Sequence, residues 1–250
     1  MDFLKGHKAD FAYSTADLEG FTGAPMEIPL TTDRPIFSHA HKLGKTEWDF
    51  VGENCSKLEQ QGLIKPSHQS KYASATVVVR KRDEDGAYTD LRQCGDYKPI
   101  NGYTDLDRYP LPAIEDIFQE LQGAVIFSKL DLKSGYHQVP VGEDDKCKTA
   151  FWGMRRQLWE WNVVPFGLKN APPFFHRLMD QVLAGLPFAR CYIDDIIIWS
   201  SSFAEHLEHL EIIFRRLREW GLKIHHGKCL FGAEEVDFLG HRVNRFGIRP

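Results

Sequence analysis

Two adjacent carboxylates inside an apolar segment constrain this chain of 250 residues more than any other feature of its sequence. Asp194 and Asp195 lie within the run from Cys191 to Trp199, in which most neighbouring side chains favour burial. Removing an ionised carboxylate from water costs roughly several kcal/mol, and a second charge beside it adds to that cost unless a cation is present. The segment therefore predicts either a bound divalent cation or an exposed hairpin tip, because Asp is also a favoured turn residue.

A third carboxylate stands at the end of a second apolar run. Asp131 follows the β-prone residues from Val125 to Leu130 and precedes Asp194 by 63 positions. Two metal ions about 3.5–4 Å apart, held by such carboxylates, form a recurring site of phosphoryl-transfer enzymes. We therefore expect Asp131, Asp194 and Asp195 to meet in the fold.

The composition predicts a globular chain of one or two subdomains. Hydrophobic residues make up 42% and aromatic residues 12% of the chain, which is enough for a sizeable core. The sequence has no long apolar run, and its first residues lack the apolar core of a signal peptide. We expect a protein of the cytoplasm or the nucleus, without a membrane partner.

The charge of the chain is unevenly distributed. Residues 1–60 contain ten acidic and six basic side chains and account for the net charge of −4, whereas residues 61–250 contain 25 of each. A neutral body neither predicts nor excludes a nucleic-acid partner, since charges can be sorted onto different faces.

The first part of the chain predicts a small subdomain with a β-hairpin. Residues 1–45 form a polar lead-in, punctuated by glycine and proline, for which we expect mainly extended structure. Apolar residues at helical spacing predict a helix that begins near Thr46, which can cap it. The β-branched segment Ala75–Arg82, the turn Asp83–Gly86 and a partner strand reaching Cys94 predict the hairpin.

The rest of the chain predicts a layered α+β subdomain around the carboxylates. A helix after Pro112 precedes the Asp131 strand, and a second helix follows the cap Asn170. A capping box at Ser202 opens a third helix. Its apolar stripe is expected to be core and consists of Phe203, Leu207, Leu210, Phe214 and Leu217. Strand, helix, hairpin, helix, strand is the order of a split βαβ fold, an antiparallel sheet with helices on one face.

Five motifs occur in the order and spacing of those in reverse transcriptases. They are Arg-Tyr-Pro-Leu-Pro at 108–112, Ser-Lys-Leu-Asp-Leu-Lys-Ser-Gly-Tyr-His-Gln at 128–138, Val-Pro-Phe-Gly-Leu-Lys-Asn-Ala-Pro at 164–172, Tyr-Ile-Asp-Asp at 192–195 and Phe-Leu-Gly-His at 238–241. The first and third motifs make the chain resemble, more narrowly, the polymerase of gypsy-type (Metaviridae) LTR retrotransposons. The resemblance extends from about Phe11 to Pro250.

The resemblance implies the fingers and palm of a right-hand polymerase, with the thumb absent, cut from a longer Pol polyprotein. The fingers would comprise residues 46–105 with part of 140–170, and the palm residues 106–250, where the split βαβ sheet carries the catalytic carboxylates. The implied function is that of an RNA-directed DNA polymerase. In this reaction two metal ions assist nucleotidyl transfer from a deoxynucleoside triphosphate (dNTP) to a primer 3′-hydroxyl.

Two alternatives remain open on the sequence. One is a catalytically silent module, decayed or domesticated, that keeps the fold for binding; the intact carboxylates weigh against it. The other is a different nucleotidyl transferase on a related core, such as a nucleotide cyclase, which the Pro165–Gly167 segment disfavours. Extension of a primer on RNA is expected only of a reverse transcriptase.

The resemblance also implies roles for individual residues. Asp131 and Asp194 would bridge two Mg²⁺ ions, with a lesser part for Asp195 and a ligand from the Leu132 backbone carbonyl; Mn²⁺ could substitute. The residues implied for dNTP binding are Lys81, Arg92, Ser134, Gly135, Tyr136, Phe166 and Gly167, and those for template and primer are Tyr192 and Gly240. Tyr136 would leave no room for a 2′-hydroxyl. The alternatives are a half-buried strand tyrosine at Tyr136 and a solvated sheet edge for the basic hairpin residues.

The implied partners are an RNA or DNA template with a DNA primer, dNTPs, and the rest of the Pol polyprotein, namely thumb, connection and RNase H. A virus-like particle in the cytoplasm, or the nucleus, would be the place of action.

Overall fold

The structure, a computed structural model, describes residues 2–82 and 88–249; the predicted turn Asp83–Gly86 and the side chain of Lys81 lie outside the described residues. The helices are α1 (Asp2–Gly6), α2 (Lys45–Gln60), α3 (Lys98–Tyr103), α4 (Ile114–Glu120), α5 (Ala171–Val182) and α6 (Phe203–Glu219). The strands are β1 (Phe11–Ala12), β2 (Ile64–Pro66), β3 (Ala75–Arg82), β4 (Tyr88–Asp96), β5 (Ile126–Asp131), β6 (Phe151–Trp152), β7 (Leu158–Trp161), β8 (Ala189–Tyr192), β9 (Asp195–Ser200), β10 (Ile224–His225), β11 (Leu230–Ala233), β12 (Glu235–Phe238), β13 (His241–Asn244) and β14 (Gly247–Arg249). None of the described helices is both long and apolar enough to cross a membrane.

The chain divides into two compact units, each assembled from separated stretches of sequence. We call the first the carboxylate unit; it consists of Met1–Gly23, Arg108–Gln138 and Pro172–Pro250 and contains all three predicted catalytic residues. We call the second the hairpin unit; it consists of Ala24–Asp107 and Val139–Ala171 and contains the β3–β4 hairpin.

The carboxylate unit is built on a four-stranded antiparallel sheet with strand order β11-β5-β9-β8. The two faces of β9 are both buried, since Ile196, Ile197 and Ile198 are each 0% exposed. One face carries α6, which packs on β5 and β9. The other face forms a core with α4 and the β12-β13-β14 sheet, in which Phe127 and Ile197 contact residues such as Phe238. The predicted order of strand, helix, hairpin, helix and strand is therefore observed as β5, α5, β8–β9, α6 and β11.

Helix α6 begins where the sequence predicts, because the Ser202 hydroxyl accepts a hydrogen bond from the Glu205 N–H at 3.3 Å. Its predicted core stripe is partly wrong, since Phe203 at the start of the helix is 57% exposed. The buried face consists of His206, Leu210, Ile213, Phe214 and Leu217. The polar His206 thus takes a position on the face that packs against the sheet.

The beginning of the lead-in is fixed within the carboxylate unit by a strand pair and by an ion pair of the buried Asp10. β1 pairs in parallel with β10. Asp10, which is 2% exposed, accepts hydrogen bonds from Arg218 Nε and Nη2 at 2.8 and 2.7 Å. This stretch also contains α1 and two 3-10 turns, where the sequence predicts extended structure.

The hairpin unit contains the predicted hairpin and a second, smaller sheet. The strand Ala75–Arg82 is confirmed, and its partner β4 continues two residues past Cys94 to Asp96. The second sheet has strand order β2-β7-β6. β6 also runs beside the start of β3, since the Ser74 N–H donates to Ala150 O at 2.8 Å and the Trp152 N–H to Ser74 O at 3.1 Å.

The helices of the hairpin unit differ from expectation at their ends. Thr46 is not the cap of α2; the helix begins after Gly44, whose N–H donates to the Glu47 carboxylate at 2.7 Å. An acidic side chain three residues into a helix satisfies a backbone donor that would otherwise have none. The sequence did not indicate α3, a short helix with Pro99 in its first turn.

Candidate active site

Strand pairing places the three predicted carboxylates at one end of the four-stranded sheet. β5 ends at Asp131 and β9 begins at Asp195, and these residues are directly opposite in the antiparallel register. Ile193 and Asp194 form the two-residue turn between β8 and β9. The Leu132 N–H donates a hydrogen bond to the Asp194 carbonyl at 3.3 Å, which joins this turn to the end of β5. The fold therefore brings the three acids together.

The three carboxylates repel one another in a partly desolvated place. Burial raises the pKa of Asp194, and the charge of Asp131 raises it further. Burial also raises the pKa of Asp195, while the ammonium of Lys129 acts in the opposite direction. Lys228 Nζ lies 3.6 Å from Asp131 Oδ2 and offsets part of the repulsion. Such a site gains stability from an added cation.

The turn that presents Asp194 has a strained backbone. Ile193 has a φ of 57°, in the left-handed region that β-branched residues avoid because their side chain crowds the backbone. The buried Cys191 thiol donates a hydrogen bond to the Ile193 carbonyl at 3.1 Å and supports this conformation. Strain of this kind costs about 1–3 kcal/mol and tends to occur at functional sites.

Tyr136 lies in a 3-10 turn, Gly135–Gln138, that follows the Asp131 strand. The interpretation of Tyr136 as a strand residue is therefore wrong. Its ring meets Phe175 edge-on, with 5.4 Å between the ring centroids. Burial, together with the charge of the nearby Asp194, raises the pKa of Tyr136 to about 12, so its hydroxyl is neutral at pH 7.

Gly135 allows this turn to approach the turn that carries Asp194. A Cβ atom at position 135 would lie 3.0 Å from the Phe175 ring and 3.4 Å from the Asp194 Cβ. Ser134, just before it, has a φ of 49°. A larger residue at position 135 would therefore push Phe175 or Asp194 from its place.

Two of the four backbone N–H groups that follow Asp131 already have backbone acceptors. The Leu132 N–H is bonded to Asp194, and the Lys133 N–H donates to Lys223 O at 3.1 Å. Among the described residues, the amides of Ser134 and Gly135 have no such backbone acceptor. An anion bound at this turn would therefore meet the amides of Ser134 and Gly135.

The two residues predicted to contact template and primer also lie in the carboxylate unit. Tyr192, the last residue of β8, is half-buried against the core formed with α4. Gly240 forms a two-residue turn with Leu239 between β12 and β13, and their φ values are 77° and 50°. A Cβ at Gly240 would meet nothing within 4 Å, so a side chain would fit there. Glycine is favoured at this position because of its positive φ.

The other predicted substrate residues belong to the hairpin unit. Arg92 is exposed on β4, opposite Val79 of β3. Phe166 is 42% exposed, and Gly167 after it has a φ of 98°. The Gly167 carbonyl accepts a hydrogen bond from Asn101 Nδ2 at 2.8 Å, which holds this loop against α3.

The donor set suits a divalent cation by charge but is not preassembled. Carboxylate oxygens are the ligands that Mg²⁺ prefers in proteins. In the part of the chain that the structure describes, no three His, Cys, Asp or Glu side chains are placed to hold one ion between them. The Lys228 ammonium, 3.6 Å from Asp131 Oδ2, would compete with a cation for this carboxylate.

Sequence reasoning missed His206, which connects α6 to β5 and β9, the strands that carry Asp131 and Asp195. His206 Nε2 lies 2.7 Å from the hydroxyl of Ser128 on β5, and its Nδ1 lies 2.7 Å from the hydroxyl of Ser200 on β9. Ser128 also accepts a hydrogen bond from the Gly232 N–H at 2.9 Å. The sequence does contain a signal for this residue, because His206 lies four positions before Leu210, on the apolar face of the predicted helix.

Comparison with known proteins identifies relatives among transposon polyproteins. The profile described as "Reverse transcriptase (RNA-dependent DNA polymerase)" matches residues 79–243. The chain is 36% identical over 241 residues to the retrovirus-related Pol polyprotein from transposon 297 of Drosophila melanogaster, covering 95% of this chain and 23% of the polyprotein. For the Pol polyprotein from transposon gypsy of the same organism the identity is 33% over 251 residues, covering 99% and 24%. The chain thus spans about a quarter of the length of these relatives.

Solved structures share the fold. A foamy viral protease-reverse transcriptase in complex with an RNA/DNA hybrid has a TM-score of 0.88 and 22% identity, over 99% of this chain and 33% of that chain. A form described as dRH, in complex with double-stranded DNA, has a TM-score of 0.87 and 23% identity, over 99% and 42%. These matches confirm the predicted α+β fingers-and-palm fold, and the relatives confirm the gypsy-type resemblance. The profile match covers residues 79–243, which is more than half of this chain. The chain therefore belongs to the reverse transcriptase family of RNA-dependent DNA polymerases.

Proposed function

We propose that the chain is an RNA-directed DNA polymerase domain of a retrotransposon Pol polyprotein and acts by two-metal nucleotidyl transfer. The observation that supports this most is the register that sets Asp131 opposite Asp195, beside the turn carrying Asp194. We assign the carboxylate unit to the palm and the hairpin unit to the fingers. The fingers would then comprise Ala24–Asp107 with Val139–Ala171.

Asp131 and Asp194 would be the main ligands of the proposed cation site, with Asp195 in a lesser role and the Leu132 carbonyl as a backbone ligand. Burial and the charge of Asp131 raise the pKa of Asp194, so a cation relieves a cost already present in the fold. When bound, Mg²⁺ would activate the primer 3′-hydroxyl and neutralise the phosphates; Mn²⁺ accepts similar oxygen ligands. Lys228 would exchange its contact with Asp131 for solvent or phosphate.

The residues around the carboxylates would bind and select the nucleotide. The Ser134 and Gly135 amides would donate to the triphosphate, and the Tyr136 ring would occupy the space that a 2′-hydroxyl needs. In the hairpin unit, Arg92 would supply a guanidinium, whose fork matches phosphate oxygens. The remaining proposed contacts are Lys81, Phe166 and Gly167 to the dNTP, and Tyr192 and Gly240 to template and primer.

The partners are proposed by analogy with the relatives. Those relatives are Pol polyproteins, and the foamy viral enzyme is described in complex with an RNA/DNA hybrid and with double-stranded DNA. For this chain we propose an RNA or DNA template with a DNA primer, dNTPs, and the remainder of a Pol polyprotein.

The experiment is extension of a labelled DNA primer on an RNA template by the purified chain in Mg²⁺. Asp131→Asn and Asp194→Asn should each lower extension by about 10²–10³-fold or more, because each removes a ligand and charge at the reacting centre. Asp116→Asn, which neutralises an exposed carboxylate in the first turn of α4, is the matched control and should extend normally. Urea unfolding should show Asp194→Asn to be at least as stable as the wild type, because a carboxylate whose pKa is raised in the fold destabilises it when ionised.

Wild-type extension by Asp194→Asn would refute the site. A folded wild-type chain that binds template and primer but extends nothing with either metal would instead be the silent binding module considered above.

A further inference from the structure

Five residues other than glycine have a positive φ in the described part of the chain, and three of them lie at the proposed site. Ser134, Ile193 and Leu239 lie at the proposed nucleotide, metal and primer contacts. The other two are neighbours in the hairpin unit, Arg155 and Arg156, with φ values of 56° and 62°. Because strained backbone tends to persist where function requires it, the arginine pair calls for a functional explanation.

The two arginines form the tip of the β6–β7 hairpin. The Gln157 N–H donates to Met154 O at 3.2 Å, and the Gly153 N–H donates to Gln157 O at 2.7 Å. Left-handed conformations at both central positions define a type I′ turn, in which Asn-Gly is the favoured pair. Arginine is less suitable at these positions, because its Cβ disfavours a positive φ and its long side chain does not offset that cost.

The turn presents two positive charges to solvent. Both side chains are exposed, and no described residue forms an ion pair with either. Asp49 and Glu53 line the same groove as Arg155, so a small anion would gain little there. A polyanion that offers successive phosphates to both guanidinium groups would gain more, because each group can bind phosphate bidentately.

The topology places the arginine turn beside the proposed fingers hairpin. A parallel bridge joins Phe151 at the start of β6 to Ser74, the residue before β3, so the two strands run in the same direction. The β6–β7 hairpin therefore lies beside the start of β3. Arg92, proposed to bind the dNTP, is on the strand that leaves the β3–β4 turn.

We propose that the Arg155–Arg156 turn binds the sugar-phosphate backbone of a nucleic-acid strand. The strained turn would then persist because it presents two guanidinium groups side by side to the phosphates. This inference rests on the proposed function, because it takes template and primer as the ligand. The expected contact is with backbone phosphates, and it is independent of base sequence.

The test replaces the pair by the residues that a type I′ turn prefers, Arg155→Asn with Arg156→Gly. Binding of a fluorescent DNA primer on an RNA template with a 5′ overhang is measured by anisotropy over a range of salt, without metal or dNTP. We expect the affinity at 0.1 M salt to fall roughly 10- to 100-fold, and the log–log salt slope to become less steep by about two. The urea midpoint should rise, since the new pair relieves the strain.

Two further variants separate charge from geometry. Arg155→Lys with Arg156→Lys keeps the charge and the strain, and it should retain most of the salt slope while losing part of the affinity. Lys42→Gln with Lys57→Gln removes the same charge from exposed positions of the hairpin unit and should leave binding unchanged. The KM for dNTP should be similar in all variants, which distinguishes strand binding from triphosphate binding.

The inference would be overturned if the Arg155→Asn, Arg156→Gly double variant were stable and bound as tightly as the wild type, with the same salt slope. An equal loss in the control with both Lys42 and Lys57 replaced would also overturn it, since the effect would then be one of net charge. Neither result bears on the proposed function, which stands or falls with extension by the wild type and its loss in Asp194→Asn.

Discussion

Tyr136 is the residue on which sugar selection should depend. Its ring is held edge-on by Phe175 and lies near Asp194, and its hydroxyl is neutral because its pKa is raised to about 12. Replacing Tyr136 with Ala opens space for a 2′-hydroxyl, so ribonucleotide incorporation should rise relative to deoxynucleotide incorporation by about 10- to 100-fold. The measurement is the ratio of kcat/KM for a ribonucleotide and its deoxy counterpart.

The control is Tyr136→Phe, which keeps the ring and should keep the selectivity. If Tyr136→Ala discriminates as well as the wild type, Tyr136 is a packing residue for Phe175 and nothing more.

At the residue scale the carboxylates could be predicted, but their neighbours could not. Asp131, Asp194 and Asp195 are conspicuous because charged residues are rare in apolar strands. Lys228, which pairs with Asp131 at 3.6 Å, occurs in an unremarkable polar stretch. Its role depends on β11 folding back beside β5, which no local pattern reveals.

Helix α6 should be coupled to β5 and β9 through His206. Burial, with a further effect of His209, lowers the pKa of His206 to about 4, and burial lowers the pKa of His137 to about 4. An unfolded histidine titrates near pH 6.5, so between about pH 6.5 and pH 4 the unfolded chain binds more protons than the folded chain. The contribution of these histidines to the free energy of unfolding should therefore be fully present above about pH 6.5. It should decrease as the pH falls through this window.

The test is urea unfolding at pH 5 and pH 7. His206→Asn should lose about 1–2 kcal/mol at pH 7, because Asn cannot reach both Ser128 and Ser200. Its stability should also change less between pH 7 and pH 5 than that of the wild type, by about 1–2 kcal/mol. His68→Asn, at an exposed position, should behave as the wild type does. A pH dependence that His206→Asn leaves untouched would show that the histidine is protonated without cost.

At the element scale, propensity predicted the long segments and failed at short ones. The strand Ala75–Arg82 and the start of α6 at Ser202 follow from β-branching and capping, which act locally. The failures are α3, the Gly44 start of α2 and the turn that contains Tyr136. These depend on hydrogen bonds and packing that only the folded chain supplies.

For the molecule as a whole, binding of template and primer should depend strongly on salt. The net charge is −4 and residues 61–250 are balanced, so attraction to phosphate must come from local groups rather than from an overall positive field. Raising salt from about 50 to 200 mM should weaken binding at least about tenfold, since each phosphate contact releases counterions. Anisotropy titrations measure this, and urea unfolding at both salt concentrations tests that the fold is unchanged. Affinity that is insensitive to salt would mean that stacking, and not phosphate contact, holds the nucleic acid.

The sequence by itself determined the chemistry that this chain can carry: three acids in two apolar segments, the motif order of a polymerase, and the main strands and helices. Only the tertiary structure decided which groups meet. The pairing of Asp131 with Asp195, the hydrogen bond from the Leu132 N–H to Asp194, and the contact of His206 with Ser128 all join positions far apart in the chain. Apolar patterning predicts that such segments are buried. Strand register and hydrogen-bond partners, however, depend on how all segments pack together in the same core.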